Sequence, residues 1–182
     1  MAAPASLPPE PVGPPEPVGP PEPVDQDEYR RLSDLLAVGL AVVTTRQGPH
    51  DLAVTVDSYL DLSYDPPTML VALYGMSRAA EAVEEAGHCC LTLLTADQQE
   101  LADRFGTPGA PLQGMLNGLE VSRTAAGDAI LPGGLAHFAL RVDQAVDAAT
   151  HRLLIGQVVE MGEGRLDIGP AVRFAGEKRG LA

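Results

Sequence analysis

The chain has 182 residues, a formal net charge of −13 and 45% hydrophobic residues. That length suits one domain of ordinary size, and the hydrophobic share excludes a chain disordered throughout. So acidic a surface repels phosphate backbones and anionic headgroups, and an aromatic share of 4% without Trp offers few platforms for bases, so neither nucleic acid nor a membrane is an expected partner.

Residues 8–25 are three copies of a six-residue unit, PPEPVG twice and then PPEPVD. Ten of the 17 prolines lie between Pro4 and Pro23. Proline blocks both helix and ladder, so polyproline II or disorder is expected here. Residues 1–28 carry six acidic side chains and no Lys or Arg. An acidic leader is therefore favoured over a Pro-rich ligand, which is often oriented by a basic residue. The division expected is a tail over 1–28 and one folded domain over 29–182. No basic region followed by an apolar run marks a signal peptide, and no apolar stretch reaches the roughly 18–20 residues that span a bilayer. Cys89 and Cys90 are adjacent, where a disulfide would be strained. They read as two small apolar strand residues, which fits a cytoplasmic location.

Asp25 to Leu40 reads as a helix, with Tyr29, Leu32, Leu35, Leu36 and Leu40 at helical spacing and acidic residues at its start. Ala37 to Thr45 turns β-branched and stops at Gln47-Gly48-Pro49. Leu52 to Tyr59 alternates as a strand. Asp61 to Asp65 then leads into Pro66-Pro67, which must lie outside a central ladder. Thr68 to Tyr74 is a continuous apolar run, the mark of a buried strand. Ser77 to Ala86 reads as a helix with Ser77 as N-cap and Gly87 beyond its end. His88 to Thr95 reads as a strand and Ala96 to Phe105 as a helix. Residues 106–134 read as loop, with a weak strand near Leu119–Val121. Leu135–Ala148 and His151–Met161 alternate over long stretches and suggest an antiparallel pair, with a short strand at Val172–Phe174. About six strands with short helices at the turns favour a mainly β fold, a β-barrel with inserted helices, over a doubly wound sheet.

Most catalytic signatures are missing. The chain has no G-x-G-x-x-G after a strand, no Walker A sequence, no G-x-S-x-G and no H-E-x-x-H. His50, His88, His137 and His151 lack metal-ligand spacing. Chemistry would have to be borrowed from a cofactor. Two places suit one. Thr55, Asp57, Ser58 and Ser63 set short polar side chains beside an apolar run. Gly75-Met76-Ser77-Arg78 joins a strand to a helix start, where free N–H groups and an Arg can receive phosphate. A helix cap with a surface Arg is the plainer reading of that turn.

Taken in order, four blocks resemble the flavin reductase-like family, whose fold is a flavin-binding split barrel. They are YRRLSDLLAVGLAVVTT (29–45), AVTVDSYLDLSYDPPTMLVAL (53–73), MSRAAEAVEEAGHCCLTLLTADQQELADRF (76–105) and THRLLIGQVVE (150–160). The resemblance implies an NAD(P)H:flavin oxidoreductase. Such a homodimer takes hydride from NADH or NADPH to FMN or FAD and hands reduced flavin to a partner monooxygenase. It places Thr55, Val56, Asp57, Ser58 and Ser63 along the flavin ring and side chain. Gly75, Met76, Ser77 and Arg78 fall on the phosphate turn, Thr95 and Arg104 near the flavin tail, and His151 beside nicotinamide and flavin. Hydride transfer is chiefly a positioning task, which a chain with few acid–base groups can perform. Asp57 stands where the family usually has Ser or Asn, and residues 166–178 lack the family's Tyr. These departures motivate the alternative of a non-reducing flavin-binding or partner-binding module on the same barrel. A pyridoxamine-phosphate-oxidase-like barrel fits the SYDPP and ADQQELADRF blocks less well.

Overall fold

The computed structural model describes residues 23–107, 109 and 114–180; all but the end of the Pro-rich repeats lies outside them. The first element is a short helix, α1 (Gln26–Ser33), capped by Asp25, whose side chain accepts from the Asp27 and Glu28 N–H groups. It is shorter than its periodicity suggests. The chain tightens through Leu35 N–H to Leu32 O and Leu36 N–H to Ser33 O bonds, then extends as β1 (Val38–Gly39). β1 pairs with a strand more than 130 residues later, and that pairing overrides local helix preference.

β2 (Ala41–Gln47) and β3 (His50–Val56) form a hairpin across Gly48, whose φ is 59°. Leu52–Tyr59 is not one strand: it breaks at Asp57-Ser58 and restarts as β4 (Tyr59–Tyr64). β4 pairs with β5 (Pro67–Tyr74), with Tyr64 opposite Pro67. A strand therefore occupies the stretch read as a lead-in to prolines. Pro67 is tolerated because it is the first residue of its strand.

α2 (Arg78–Ala86) has the expected caps. The Ser77 side chain accepts from Ala80 N–H at 3.1 Å, and Gly87 sits left-handed at φ 73°. β6 (His88–Leu93) follows, then α3 (Gln99–Gly106), which starts three residues later than expected because the Gln98 Oε1 folds back onto Thr95 N–H. The short pair β7 (Ser122–Arg123) and β8 (Ala129–Ile130) replaces the weak strand anticipated at Leu119–Val121. β9 (Ala136–Ala148) and β10 (His151–Glu163) form the long antiparallel pair. β11 (Ala171–Phe174) and β12 (Glu177–Gly180) close the chain as a hairpin; the charged β12 carried no strand signal of its own.

Seven strands form one sheet in the order β3-β2-β6-β9-β10-β5-β4. Among the described residues no ladder joins β3 to β4. Yet Val56 of β3 shares a core cluster with Met69 and Val71 of β5, from the opposite side of that order. The sheet thus curls onto itself as a split barrel without closing. Both faces of β2 are covered: Ala41 and Val43 enter the barrel core, while Val42, with Leu40 just before the strand, meets Leu94 and Phe105 under α3. Burial on both faces explains why AVVTT is an unbroken buried run. The ladder of β9 and β10 shifts register at Ile155/Gly156. A Cβ on Gly156 would lie 2.5 Å from the Arg141 carbonyl oxygen, so only glycine fits that bulge.

Candidate functional site

Three of the segments singled out in the sequence converge at one end of β5. The β3–β4 turn is fixed there because Ala72 N–H donates to Ser58 O at 2.8 Å. The β5–α2 turn is fixed because Gly75 N–H donates to Thr150 O at 2.9 Å. His151 begins β10 directly opposite Tyr74. Its ring meets the Tyr74 ring edge-on at 6.3 Å, and its Nδ1 lies 3.0 Å from Thr150 Oγ1. From Ala72 to Gly75 is about 10 Å of extended chain, so the two turns are near neighbours.

The Asp57-Ser58 turn is tied down by charge. Arg173 of β11 donates Nε to Asp57 Oδ2 at 2.7 Å and Nη1 to Asp34 Oδ1 at 2.8 Å. Ser58 Oγ donates to the other Asp57 oxygen at 3.1 Å. The Asp57 carboxylate is thus held by a guanidinium. Tyr59 follows at once, half-buried, and burial with the nearby Asp57 charge pushes its phenol up.

Beside Tyr59, along β4 and the start of β5, lies an apolar cleft of about 500 Å³. Tyr59, Met69, Leu93, Phe138 and Val158 line it, with Asp61, Ser63 and Thr68 as its polar rim. A cleft of that volume, apolar with a few polar groups, suits a flat ring with a polar edge. Ser63 lies on this rim, its Oγ accepting from Asp65 N–H at 3.2 Å. It stands five residues down β4 from Ser58, about 17 Å along an extended strand.

At the other turn, Gly75, Met76 and Ser77 line a smaller cavity of about 300 Å³ with Glu81, Glu84, Glu85 and Arg152. Arg152 is paired with Glu84 and Asp147. Ser77 Oγ already serves as a cap acceptor, Arg78 and Met76 are exposed, and the Arg78 and Ala79 N–H groups have no intrahelical partner to reach. The donors of a phosphate site are present, set among acidic neighbours.

The remaining sequence-predicted residues are mostly internal ties. Thr55 Oγ1 donates to Ala102 O at 2.8 Å, joining β3 to α3. Val56 is a core residue. Thr95 is fully buried and donates to Asp97 Oδ1 at 2.6 Å. Arg104 donates to Asn117 O at 2.9 Å, with its guanidinium 5.5 Å over the Phe105 ring. Cys89 and Cys90 are free and buried, and burial raises both thiols, that of Cys90 to about 12. Sequence reasoning missed Arg173, Asp34 and Phe138. Periodicity could have flagged Phe138, but no local signal links Arg173 to a carboxylate 116 residues away. Among the described residues no helix is long and apolar enough to cross a membrane.

Curled topology, an open apolar mouth and polar turns at one end define a mainly β split-barrel scaffold with a cofactor-sized cleft. The chain belongs to the flavin reductase like domain family, which it matches over residues 33–182. It is 31% identical over 150 residues to the NADH-dependent FMN reductase AsuE2 of Streptomyces nodosus subsp. asukaensis, covering 82% of this chain and 81% of that protein. It is 32% identical over 140 residues to the FMN reductase (NADH) RutF of Ancylobacter novellus, covering 76% of each. Among solved structures it resembles a nitrilotriacetate monooxygenase component B homologue from Mycobacterium thermoresistibile, with a TM-score of 0.80 at 27% identity over 86% of this chain and 87% of the other. BorF, the flavin reductase component of a bacterial two-component tryptophan halogenase, gives the same TM-score and identity over 86% of this chain and 98% of its own.

Proposed function

We propose that this chain is an NADH-dependent FMN reductase that supplies reduced flavin to a partner monooxygenase. The observation that carries the reading is the meeting of the Asp57-Ser58 turn, the Gly75–Arg78 turn and His151 at the C-terminal end of β5, with an apolar cleft running from Tyr59 toward the start of that strand, in a chain 31% identical to an NADH-dependent FMN reductase. When bound, the flavin supplies the hydride acceptor. The residues do the rest by position. Tyr59, next to the Ser58 turn, shields the ring from water. Asp57 and Ser58 line its edge, on a turn that Thr55 and Val56 anchor from inside the fold, and Ser63 stands on the polar rim of the cleft. Gly75, Met76, Ser77, Arg78 and the first N–H groups of α2 receive the phosphate, while Thr95 and Arg104 serve as internal ties. The three glutamates around that turn favour the single phosphate of FMN over the longer diphosphate of FAD. His151 faces the nicotinamide.

The working unit is residues 29–182, with 1–28 as an acidic leader, and it is a homodimer. Leu60, Tyr64 and Met161 around the cleft, Tyr29 and Leu32 on α1 and Leu36 just beyond it are exposed apolar side chains, and a second copy would bury them in a permanent interface of the usual size, above about 2,000 Å². A cytoplasmic location fits two free, buried thiols. The test is direct: purified protein is mixed with NADH and FMN, and the near-ultraviolet absorbance of NADH is followed. The expected result is FMN-dependent loss of that absorbance. Flavin binding with unchanged NADH would overturn the reductase reading.

A further inference from the structure

We propose that Arg173 is a positioning residue for the flavin-facing turn: it compensates Asp57 and thereby sets the Ser58 hydroxyl. This rests on the reading of the Asp57-Ser58 turn as part of the flavin site. Three bonds run in series, from Asp34 to Arg173 at 2.8 Å, from Arg173 to Asp57 at 2.7 Å, and from Ser58 Oγ to Asp57 at 3.1 Å. The residues come from three places: the end of α1 (Asp34), β11 (Arg173) and the β3–β4 turn (Asp57 and Ser58). Asp57 uses one oxygen for the guanidinium and the other for the hydroxyl, so the carboxylate fixes both direction and donor role of Ser58. All three ionic side chains are only part-exposed, at 29%, 33% and 40% for Arg173, Asp57 and Asp34. Screening by water is therefore incomplete, and the forked guanidinium matters more than a bare positive charge.

The backbone supports the same arrangement. Arg173 lies opposite Val38 in the β1–β11 ladder, which delivers it to the turn. Next to Val38, a Cβ on Gly39 would fall 2.3 Å from the Tyr59 hydroxyl, so the tip of the Tyr59 side chain reaches across to β1. The three-stranded sheet β1-β11-β12 is thus seated against the turn, with Arg173 as its one charged link to Asp57 among the described ion pairs. Without Arg173, a carboxylate stands uncompensated beside the place where the reduced ring gains negative charge.

The experiment uses the full chain, stripped of flavin, and titrates FMN by fluorescence quenching for wild type, Arg173→Met, Arg173→Lys and the double variant Arg173→Met/Asp57→Asn. Thermal melts of the same apoproteins record folding. Arg173→Met is expected to weaken FMN binding about tenfold, the size of a lost charge-assisted contact, and to lower the midpoint potential of the bound flavin. Arg173→Lys restores part of the affinity. The double variant restores most of it, because the neutral amide needs no counterion, even where its melting temperature stays low. A merely structural link would track the melts and show no rescue. Unchanged FMN affinity and potential in Arg173→Met, or loss without rescue in the double variant, overturns the proposal while leaving the reductase reading intact. Wild-type protein that fails to bind FMN overturns both.

Discussion

Replacing Gly156 by Ala tests the packing of the long hairpin that presents His151. The added Cβ would lie 2.5 Å from Arg141 O, 3.0 Å from Arg141 C and 3.2 Å from Val142 Cα, all backbone atoms that no rotamer change can move. Ordinary contact begins at 3.4 Å, so β9 and β10 must part by nearly an ångström at the bulge. Overpacking of this kind costs about 1–3 kcal/mol, and weakening one or two neighbouring ladder bonds adds about 1 kcal/mol. The expected loss is therefore about 3 kcal/mol. For a domain of this size that lowers the melting temperature by about 6–12 °C, as read by circular dichroism. Val159→Ala on the same strand, at an exposed position, is the control and stays within about 0.5 kcal/mol. If Gly156→Ala melts with the wild type, the close approach of the two strands is not what selects glycine here.

Two further outcomes follow from buried and half-buried carboxylates. Asp128 is fully buried and accepts from Arg46 N–H at 2.9 Å and from His88 Nδ1 at 2.8 Å; Asp128→Ala leaves both donors unpaired and should cost about 2–4 kcal/mol in urea unfolding, whereas Asp128→Asn, which still accepts from Arg46, should recover much of it. Equal stability of the two variants would show that these hydrogen bonds are not what Asp128 contributes. Asp51 is held below the ordinary carboxylate range, first by its hydrogen bonds from Arg123. A carboxyl lowered in the folded state contributes stability that is complete above its unfolded pKa, near about 4, and that disappears as pH falls through the folded value. Asp51→Asn should therefore flatten the acid limb of a stability–pH curve without moving its alkaline limb, and an unchanged acid limb would count against the Arg123 contact.

Much of the architecture is written in local pattern. The caps of α2 follow from Ser77 and Gly87, because a hydroxyl at the first N–H groups and a residue free to take positive φ are needs of the backbone itself. The long pair β9–β10 follows from sustained alternation, and β5 from a continuous apolar run. The family resemblance rested on such blocks in order, and it carried the fold. Where local preference and distant pairing disagree, the distant pairing won. Leu35 to Leu40 has helical periodicity, yet the chain extends at Val38 because β11 supplies a ladder there. Charged β12 becomes a strand because the Ala175-Gly176 turn, with φ of 52° and 75°, folds it back on β11.

The site divides in the same way. Which residue types could hold a cofactor was legible: short polar side chains around Asp57 and a Gly-Met-Ser-Arg turn. Which of them face one another was not. Thr95 and Thr55 spend their hydroxyls on internal bonds, and Ser63 stands a strand's length from Ser58. The guanidinium that holds Asp57 arrives from 116 residues away. Sequence fixes chemistry and local backbone preference, since both depend on near neighbours. The curl of the sheet, the gap between β3 and β4, and the charge that compensates Asp57 depend on contacts between distant segments. Only packing of the whole chain brings those into being.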